Sequence, residues 1–191
     1  MSRKDKSFRA ATAYRKQLPY GHNEIPMLCK ELFIKLEANL SMAEQLFGYL
    51  KRKMVRDDHY KHEYVTFMKD MIKNDSCDKV PLFDINKPSW YIPHHGIYHR
   101  VKKKIRVVFD CSANHNGKSL NDSLLIGPDL ISSLLGILLQ FRKESVAFQC
   151  GITKMFFQFK AQPHQRDLLR FLWWVEGDTT RTPTHYRIKS H

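Results

Sequence analysis

The sequence predicts an α+β fold, and two observations carry that prediction. Before residue 74, apolar side chains recur at helical intervals, whereas after residue 90 short alternating or apolar runs typical of strands lie between turn clusters. With 42 % apolar and 12 % aromatic residues, the 191-residue chain has the composition of a folded protein and the length for one sizeable core. We divide it into a flexible basic arm (1–20), a helical extension (21–80) and a third region (81–191).

The charge balance points to a polyanionic partner. The chain carries 32 Lys and Arg against 19 Asp and Glu, which gives a net charge of +13. Such a surplus suits RNA or DNA, and the alternative is a basic protein with no such partner. The four cysteines are too far apart for a metal knuckle and too few for a disulfide framework, and no apolar run approaches the roughly 20 residues that span a bilayer. We expect an intracellular protein, cytoplasmic or nuclear, without membrane contact.

Two helices are predicted in the extension. Ser41 and Glu44 have the spacing of a capping box, and four apolar residues follow at helical intervals, namely Met42, Leu46, Leu50 and Met54. A second helix is expected after Asp57 and Asp58, with an apolar face formed by Tyr60, Tyr64, Phe67, Met68 and Met71. Residues 74–88 contain two prolines and predict a linker.

The third region predicts strands around one helix. Residues 90–93 and 104–109 have β character and are expected to pair antiparallel across a loop around Gly96. A helix is expected over residues 128–141, with a buried face formed by Leu130, Leu134, Leu135, Leu138 and Leu139. Strands are then expected at 145–151 and 168–175, with a turn at 176–178 and a partner strand from Tyr186.

Several motifs in fixed order are similar to one known family. They lie at residues 90–95 (WYIPHH), 105–110 (IRVVFD), 119–122 (SLND), 127–130 (GPDL), 146–156 (VAFQCGITKMF) and 166–174 (RDLLRFLWW), with a weaker match at 24–27 and 40–45. This series resembles the reverse transcriptase of BEL/Pao long-terminal-repeat retrotransposons. The resemblance implies that the third region is the fingers and the opening part of the palm of an RNA-directed DNA polymerase.

The catalytic block departs from the family. BEL/Pao enzymes read roughly Ala-Asp-Ile-Glu-x-Met-Phe there, and Gly151 stands where their metal-binding aspartate would be. The two-ion chemistry of the intact family, which would use Mg²⁺, needs several carboxylates, and its Tyr-x-Asp-Asp hairpin is not found before His191. The adjacent Asp57 and Asp58 are interpreted as helix caps, and Asp110 alone could not replace the ligand set. We expect no catalytic residue, no metal site and no bound cofactor in this chain.

The resemblance also implies binding residues. Arg106 corresponds to the fingers arginine that contacts the triphosphate, and Lys102, Lys103 and Lys104 could neutralise phosphates beside it. Phe156 corresponds to the aromatic residue that excludes a ribose 2′-hydroxyl, and Gln158 falls in the same block. The alternative is a solvated basic strand for the cations and a core position for Phe156. His94, His95 and His99 are close together, but no cysteine or carboxylate completes a zinc set.

Three functions remain open at this point. The first is a catalytically inactive polymerase fragment with residual, salt-sensitive binding to RNA or DNA. The second is a piece of an active BEL/Pao reverse transcriptase. The third is a fragment that binds proteins, including other polymerase chains, through palm surface left uncovered, for which Phe148, Trp173 and Trp174 would have to find other cover or stay partly exposed.

Overall fold

A computed structural model describes residues 13–19, 21–30, 36–101, 104–125, 133–143, 145–148, 150–151 and 155–190 of the chain. Helices and strands mix along the sequence, which confirms the α+β class. Two short strands precede the two long helices, and the other six strands follow them, so that the strands form three small sheets. Within the described residues, no helix combines the length and the apolar character that a membrane crossing requires.

The two long helices are α1 (Leu40–Arg56) and α2 (Asp58–Lys73). Helix α2 begins as expected, because the Asp57 carboxylate accepts a hydrogen bond from the backbone N–H of Tyr60 at 2.9 Å. The capping box predicted for α1 is wrong. Ser41 lies inside the helix, and the residue that precedes the helix is Asn39. The Asn39 side-chain amide donates to the Tyr91 backbone carbonyl and accepts from the Tyr91 N–H, both at 2.7 Å. Asn39 therefore ties the start of α1 to the strand region.

The buried faces of the helices supply half of the core. On α2 they agree with the predicted face, since Tyr60, Tyr64, Met68 and Met71 are buried. On α1 the face is rotated from the expected one, and its buried residues are Ala43, Phe47, Leu50 and Met54. Leu46 is exposed, because the face that meets the rest of the protein is centred on Phe47 instead.

An antiparallel sheet supplies most of the other half of this core cluster, to which Tyr91, Val107 and Trp174 also belong. Its order is β3 (Cys77–Lys79), β8 (Thr184–Ile188), β7 (Arg170–Trp173). The predicted linker at 74–88 thus contains a strand that pairs with β8, and one core includes residues from both sides of position 80. The predicted turn between β7 and β8 is confirmed, with Gly177 at φ 77°, where a Cβ would also approach Val65 within 2.5 Å.

A buried ion network fixes this sheet to the segment before it. The Arg170 guanidinium is fully buried and donates to the Asp167 carboxylate at 2.8 Å and to the backbone carbonyl of Asp84 at 2.6 Å. Arg187 from the neighbouring strand reaches the Asp78 carboxylate at 2.9 Å. Because these groups leave water together, each cation needs its acceptors.

The remaining strands form a hairpin and a small mixed sheet. The hairpin joins β4 (His94–His99) to β5 (Lys104–Phe109). The mixed sheet has the order β1 (Lys16–Gln17), β2 (Asn23–Ile25), β6 (Phe159–Ala161), with β2 and β6 parallel. Lys16–Gln17 falls within the segment expected to be a flexible arm, of which residues 1–12 and 20 lie outside the described residues.

In the segment from 128 to 151, the predicted helix is present at Leu134–Phe141, but its expected buried face and the strand expected at 145–151 are wrong. Helix α3 is a single turn at Leu120–Ser123, and helix α4 spans Leu134–Phe141. Residues 126–132 between them, which include Leu130, lie outside the described residues. None of the residues of α4 is buried, and Leu134 is 72 % exposed. The described residues at 145–148 and 150–151 form no strand, and Phe148 is 85 % exposed. A buried face requires a packing surface opposite it, which an apolar pattern does not by itself provide.

Trp173 and Trp174 are covered by other parts of the protein and are not exposed. The helices of the extension provide it: Trp174 stacks on Phe47 of α1 at 4.1 Å between ring centroids, and Trp173 stacks on Tyr64 of α2 at 5.5 Å. Both tryptophans are buried. The helical extension is therefore an integral part of the core.

Candidate nucleic-acid interface

The β4–β5 hairpin displays two different faces. Six antiparallel pairs fix its register, from His94 opposite Phe109 to His99 opposite Lys104. Side chains alternate between the faces of such a ribbon. The inner face carries His94, Gly96, Tyr98, Ile105, Val107 and Phe109, and the outer face carries His95, Ile97, His99, Lys104, Arg106 and Val108. The strand predicted at residues 104–109 is confirmed as β5, but the predicted pairing with residues 90–93 is wrong. The partner of β5 is His94–His99, so Gly96 lies within a strand and not in the loop.

Helix α2 holds the inner face. The Gly96 N–H donates to the Tyr60 hydroxyl at 2.8 Å, and the Ile105 N–H donates to the Glu63 carboxylate at 2.7 Å. A Cβ on Gly96 would lie 2.7 Å from the Tyr60 hydroxyl, so only glycine permits this approach. The helix thus fixes the orientation of the hairpin and leaves the opposite face outward.

His94 belongs to this anchoring and not to a metal site. Its Nε2 lies 2.8 Å from the Leu172 carbonyl, which can only accept, so Nε2 carries the proton and Nδ1 accepts from the Tyr64 hydroxyl at 2.5 Å. Burial lowers the pKa of His94 from its ordinary 6.5 to about 4. Both ring nitrogens are occupied, and no cluster of three or more His, Cys, Asp or Glu able to hold a metal occurs among the described residues.

The outer face is exposed and basic. Lys104 and Arg106 are both exposed and lie two residues apart on the same face, which separates their Cα atoms by roughly 7 Å. Within the described residues, the Arg106 side chain makes no hydrogen bond or ion pair, so its guanidinium is available to a ligand. An open groove of about 580 Å³ lies along the hairpin and is lined by Arg106 together with Ile97, Tyr98, His99, Arg100, Val101, Val107 and Val108.

The expected binding residues are not all brought together. Arg106 and Lys104 share the outer face, whereas Lys102, Lys103 and the side chain of Phe156 lie outside the described residues. Gln158 lies at the end of a 3₁₀ helix (Met155–Gln158) and lines a second pocket, which shares no residue with the hairpin groove.

Asp110 and Asp57, which were considered as metal ligands, have structural roles in the fold. Asp110 accepts hydrogen bonds from the N–H and the hydroxyl of Ser112, at 2.9 and 2.5 Å, and so stabilises a turn. Asp57 caps α2. Gly151 is exposed, and a Cβ there would meet no atom within 4 Å. The described residues therefore do not offer the carboxylate set that a two-magnesium site requires.

Comparison with known proteins adds no family to this geometry. No protein-family model matches the sequence, and no curated protein matches it significantly.

Sequence reasoning missed the surroundings of Gln158. Its pocket contains His22 from the loop before β2, three residues from the end of α2, and Asn74 and Ser76 just after that helix, all separated from Gln158 by more than 80 positions. No local pattern connects segments so far apart: the pairing of β2 with β6 brings His22 near Gln158, and the fold places the end of α2 at the same pocket. Neither His22 nor Asp70 lies in a sequence motif that would have identified it as a binding residue.

Proposed function

We propose that this protein is a nucleic-acid-binding relative of the BEL/Pao reverse transcriptases that has no polymerase activity. Its β4–β5 hairpin would be the fingers strands, and β7 and β8 would belong to the palm. The observation that carries the proposal is the outer face of the hairpin, where exposed Lys104 and Arg106 point away from α2. The order of sequence motifs from residue 90 to residue 174 supports the same relationship.

The hairpin suits phosphate binding for physical reasons. A guanidinium offers a planar fork of N–H donors to phosphate oxygens, and an ammonium adds a point charge beside it. Ile97 lies directly opposite Arg106 on the same face and is about half exposed, so the face also offers apolar contact to sugars or bases. The net charge of +13 would attract a polyanion to the surface as a whole.

The test is fluorescence anisotropy with a labelled primer–template at several salt concentrations. We expect log Kd to rise linearly with log salt, and the double variant Lys104→Ala, Arg106→Ala to lower that slope by about 1.8 on a duplex. The matched control, Lys51→Ala with Arg56→Ala, removes the same charge from the exposed face of α1. An equal effect of both double variants would refute the assignment to the hairpin.

Catalysis is tested separately. We expect no magnesium-dependent primer extension above a no-enzyme control, because Gly151 has no carboxylate to offer. The Gly151→Asp variant should also be inactive, since one carboxylate would lack the other ligands of a two-ion site. Extension by the purified chain would instead favour the alternative that it is a piece of an active reverse transcriptase.

A protein-binding role is the second candidate, and α4 favours it. Its exposed apolar side chains include Leu134, Leu135, Leu138 and Leu139, and Phe148 adds another nearby in sequence. Apolar surface of this kind is typical of interaction sites. Co-purification of an intact polymerase would support this function, whereas a monodisperse monomer in sedimentation velocity would count against it.

A further inference from the structure

A second pocket, unrelated to the hairpin, lies between the end of α2 and the β1–β2–β6 sheet. Its volume is about 280 Å³, slightly below the range of roughly 300–1,000 Å³ of drug-sized sites. Room of this size fits a small planar molecule. It does not fit a nucleotide with its phosphates.

Two chain segments meet at this pocket through strand pairing. Asn23 of β2 lies opposite Phe159 of β6 in a parallel register, and the residues just before them are His22 and Gln158. Both of these residues line the pocket. The Nδ1 atom of His22 is buried and has no hydrogen-bond partner among the described residues. A buried nitrogen without a partner costs free energy unless a ligand or a water supplies one.

Helix α2 contributes an apolar wall and a polar rim. Phe67 and Met71 lie one turn apart and provide a ring and a thioether, while Asp70 and Asn74 lie one turn apart at the rim. Asn74 donates its side-chain N–H to the Asp70 backbone carbonyl at 2.7 Å, and both Asp70 and Asn74 are exposed. The wall suits stacking, and the rim suits hydrogen bonding.

The combination specifies the ligand. An ionised carboxylate only accepts hydrogen bonds, so the Asp70 side chain calls for N–H donors. The Gln158 amide both donates and accepts, so the ligand must carry an acceptor as well. A flat ring system is favoured by the Phe67 face. A guanidinium would satisfy Asp70 but has no acceptor for Gln158.

We propose that this pocket binds a single unstacked nucleobase and prefers guanine. Guanine has an acceptor, O6, next to the N1–H and N2–H donors of its Watson–Crick edge, the pattern that Gln158 and Asp70 together require. The inference goes beyond phosphate binding by the hairpin, because a free nucleoside without phosphate should occupy the pocket. It holds whether or not the hairpin binds nucleic acid.

The experiment is saturation-transfer NMR on the full chain with free guanosine, inosine, adenosine and uridine. We expect guanosine to bind most tightly, and inosine, which lacks the exocyclic amino group, to bind at least several-fold more weakly. Asp70→Asn and Gln158→Ala should each weaken guanosine binding about tenfold or more, since each removes a hydrogen-bonding partner. Gln162→Ala removes an amide outside the pocket and should leave the affinity unchanged.

Three results would overturn the proposal. They are no saturable guanosine signal, equal affinities for all four nucleosides, or tighter binding of N-acetylarginine methylamide than of guanosine. A thermal melt of each variant shows whether it is folded. The Lys104→Ala, Arg106→Ala protein should retain guanosine binding, so a failure of the pocket can be told apart from a failure of the hairpin.

Discussion

Two apolar segments of this protein have similar composition and opposite fates. Strand β7 and the residue after it, residues 170–174, are buried, and Trp173 and Trp174 are each 1 % exposed. Residues 134–141 of α4 are at least as apolar, yet none is buried. The difference lies in what faces them, because β7 has α1, α2 and a paired strand around it. Burial, and with it the hydrophobic contribution to stability, depends on the opposing surface.

The largest expected effect contrasts these two segments directly. Trp174→Ala should destabilise the protein by about 3–5 kcal/mol, because it opens a cavity beside Phe47. Leu138→Ala on α4 should change the free energy of unfolding by no more than about 0.5 kcal/mol. Urea denaturation measures both. Similar losses in the two variants would mean that α4 is covered in solution and that the contrast is wrong.

A second prediction tests burial through pH. Burial lowers the pKa of His94 to about 4 in the folded protein, whereas the same ring in the unfolded chain titrates near 6.5. Between these values the unfolded state binds more protons, so stability should fall as the pH falls from 6.5 to 4, by about 3 kcal/mol. The measurement is urea denaturation at several pH values.

The variants of His94 sharpen that test. His94→Leu should reduce the pH dependence in this window, while His62→Leu on the exposed side of α2 should leave it intact. Some dependence will remain, because burial, followed by the charge of Arg170, also lowers the pKa of His185. An unchanged slope in His94→Leu would show that His94 is solvated.

The smallest expected effect concerns two glycines, Gly96 in the hairpin and Gly48 in α1. Gly96→Ala should cost about 1–3 kcal/mol, because its Cβ would lie 2.6 Å from the Ile105 side chain and 2.7 Å from the Tyr60 hydroxyl. Gly48→Ala in α1 meets no atom within 4 Å and should stabilise the helix by about 0.5–1 kcal/mol. Thermal melts of both variants check the signs. A harmless Gly96→Ala would mean that the hairpin is not held against α2.

Local patterns predicted much of the fold. The carboxylate of Asp57 and the face from Tyr60 to Met71 gave α2, and the alternation at Lys104–Phe109 gave β5. Patterns failed where a partner decides the outcome. Asn39 could not be identified as the start of α1, because its bonding partner, Tyr91, is 52 residues away. The same reason applies to the predicted binding residues: Lys104 and Arg106 lie on one face because they share one strand, whereas Gln158 lies in a different pocket.

The sequence by itself determined the α+β class, the charge and the alternation that gives the hairpin a basic side. These depend on residue type and on spacing within one element. Only the tertiary structure decided which side faces outward, which apolar segment is buried, and that His22, Asp70 and Gln158 share a pocket. Those outcomes depend on packing between distant segments, where free energy comes from surfaces that meet and not from the pattern on either one.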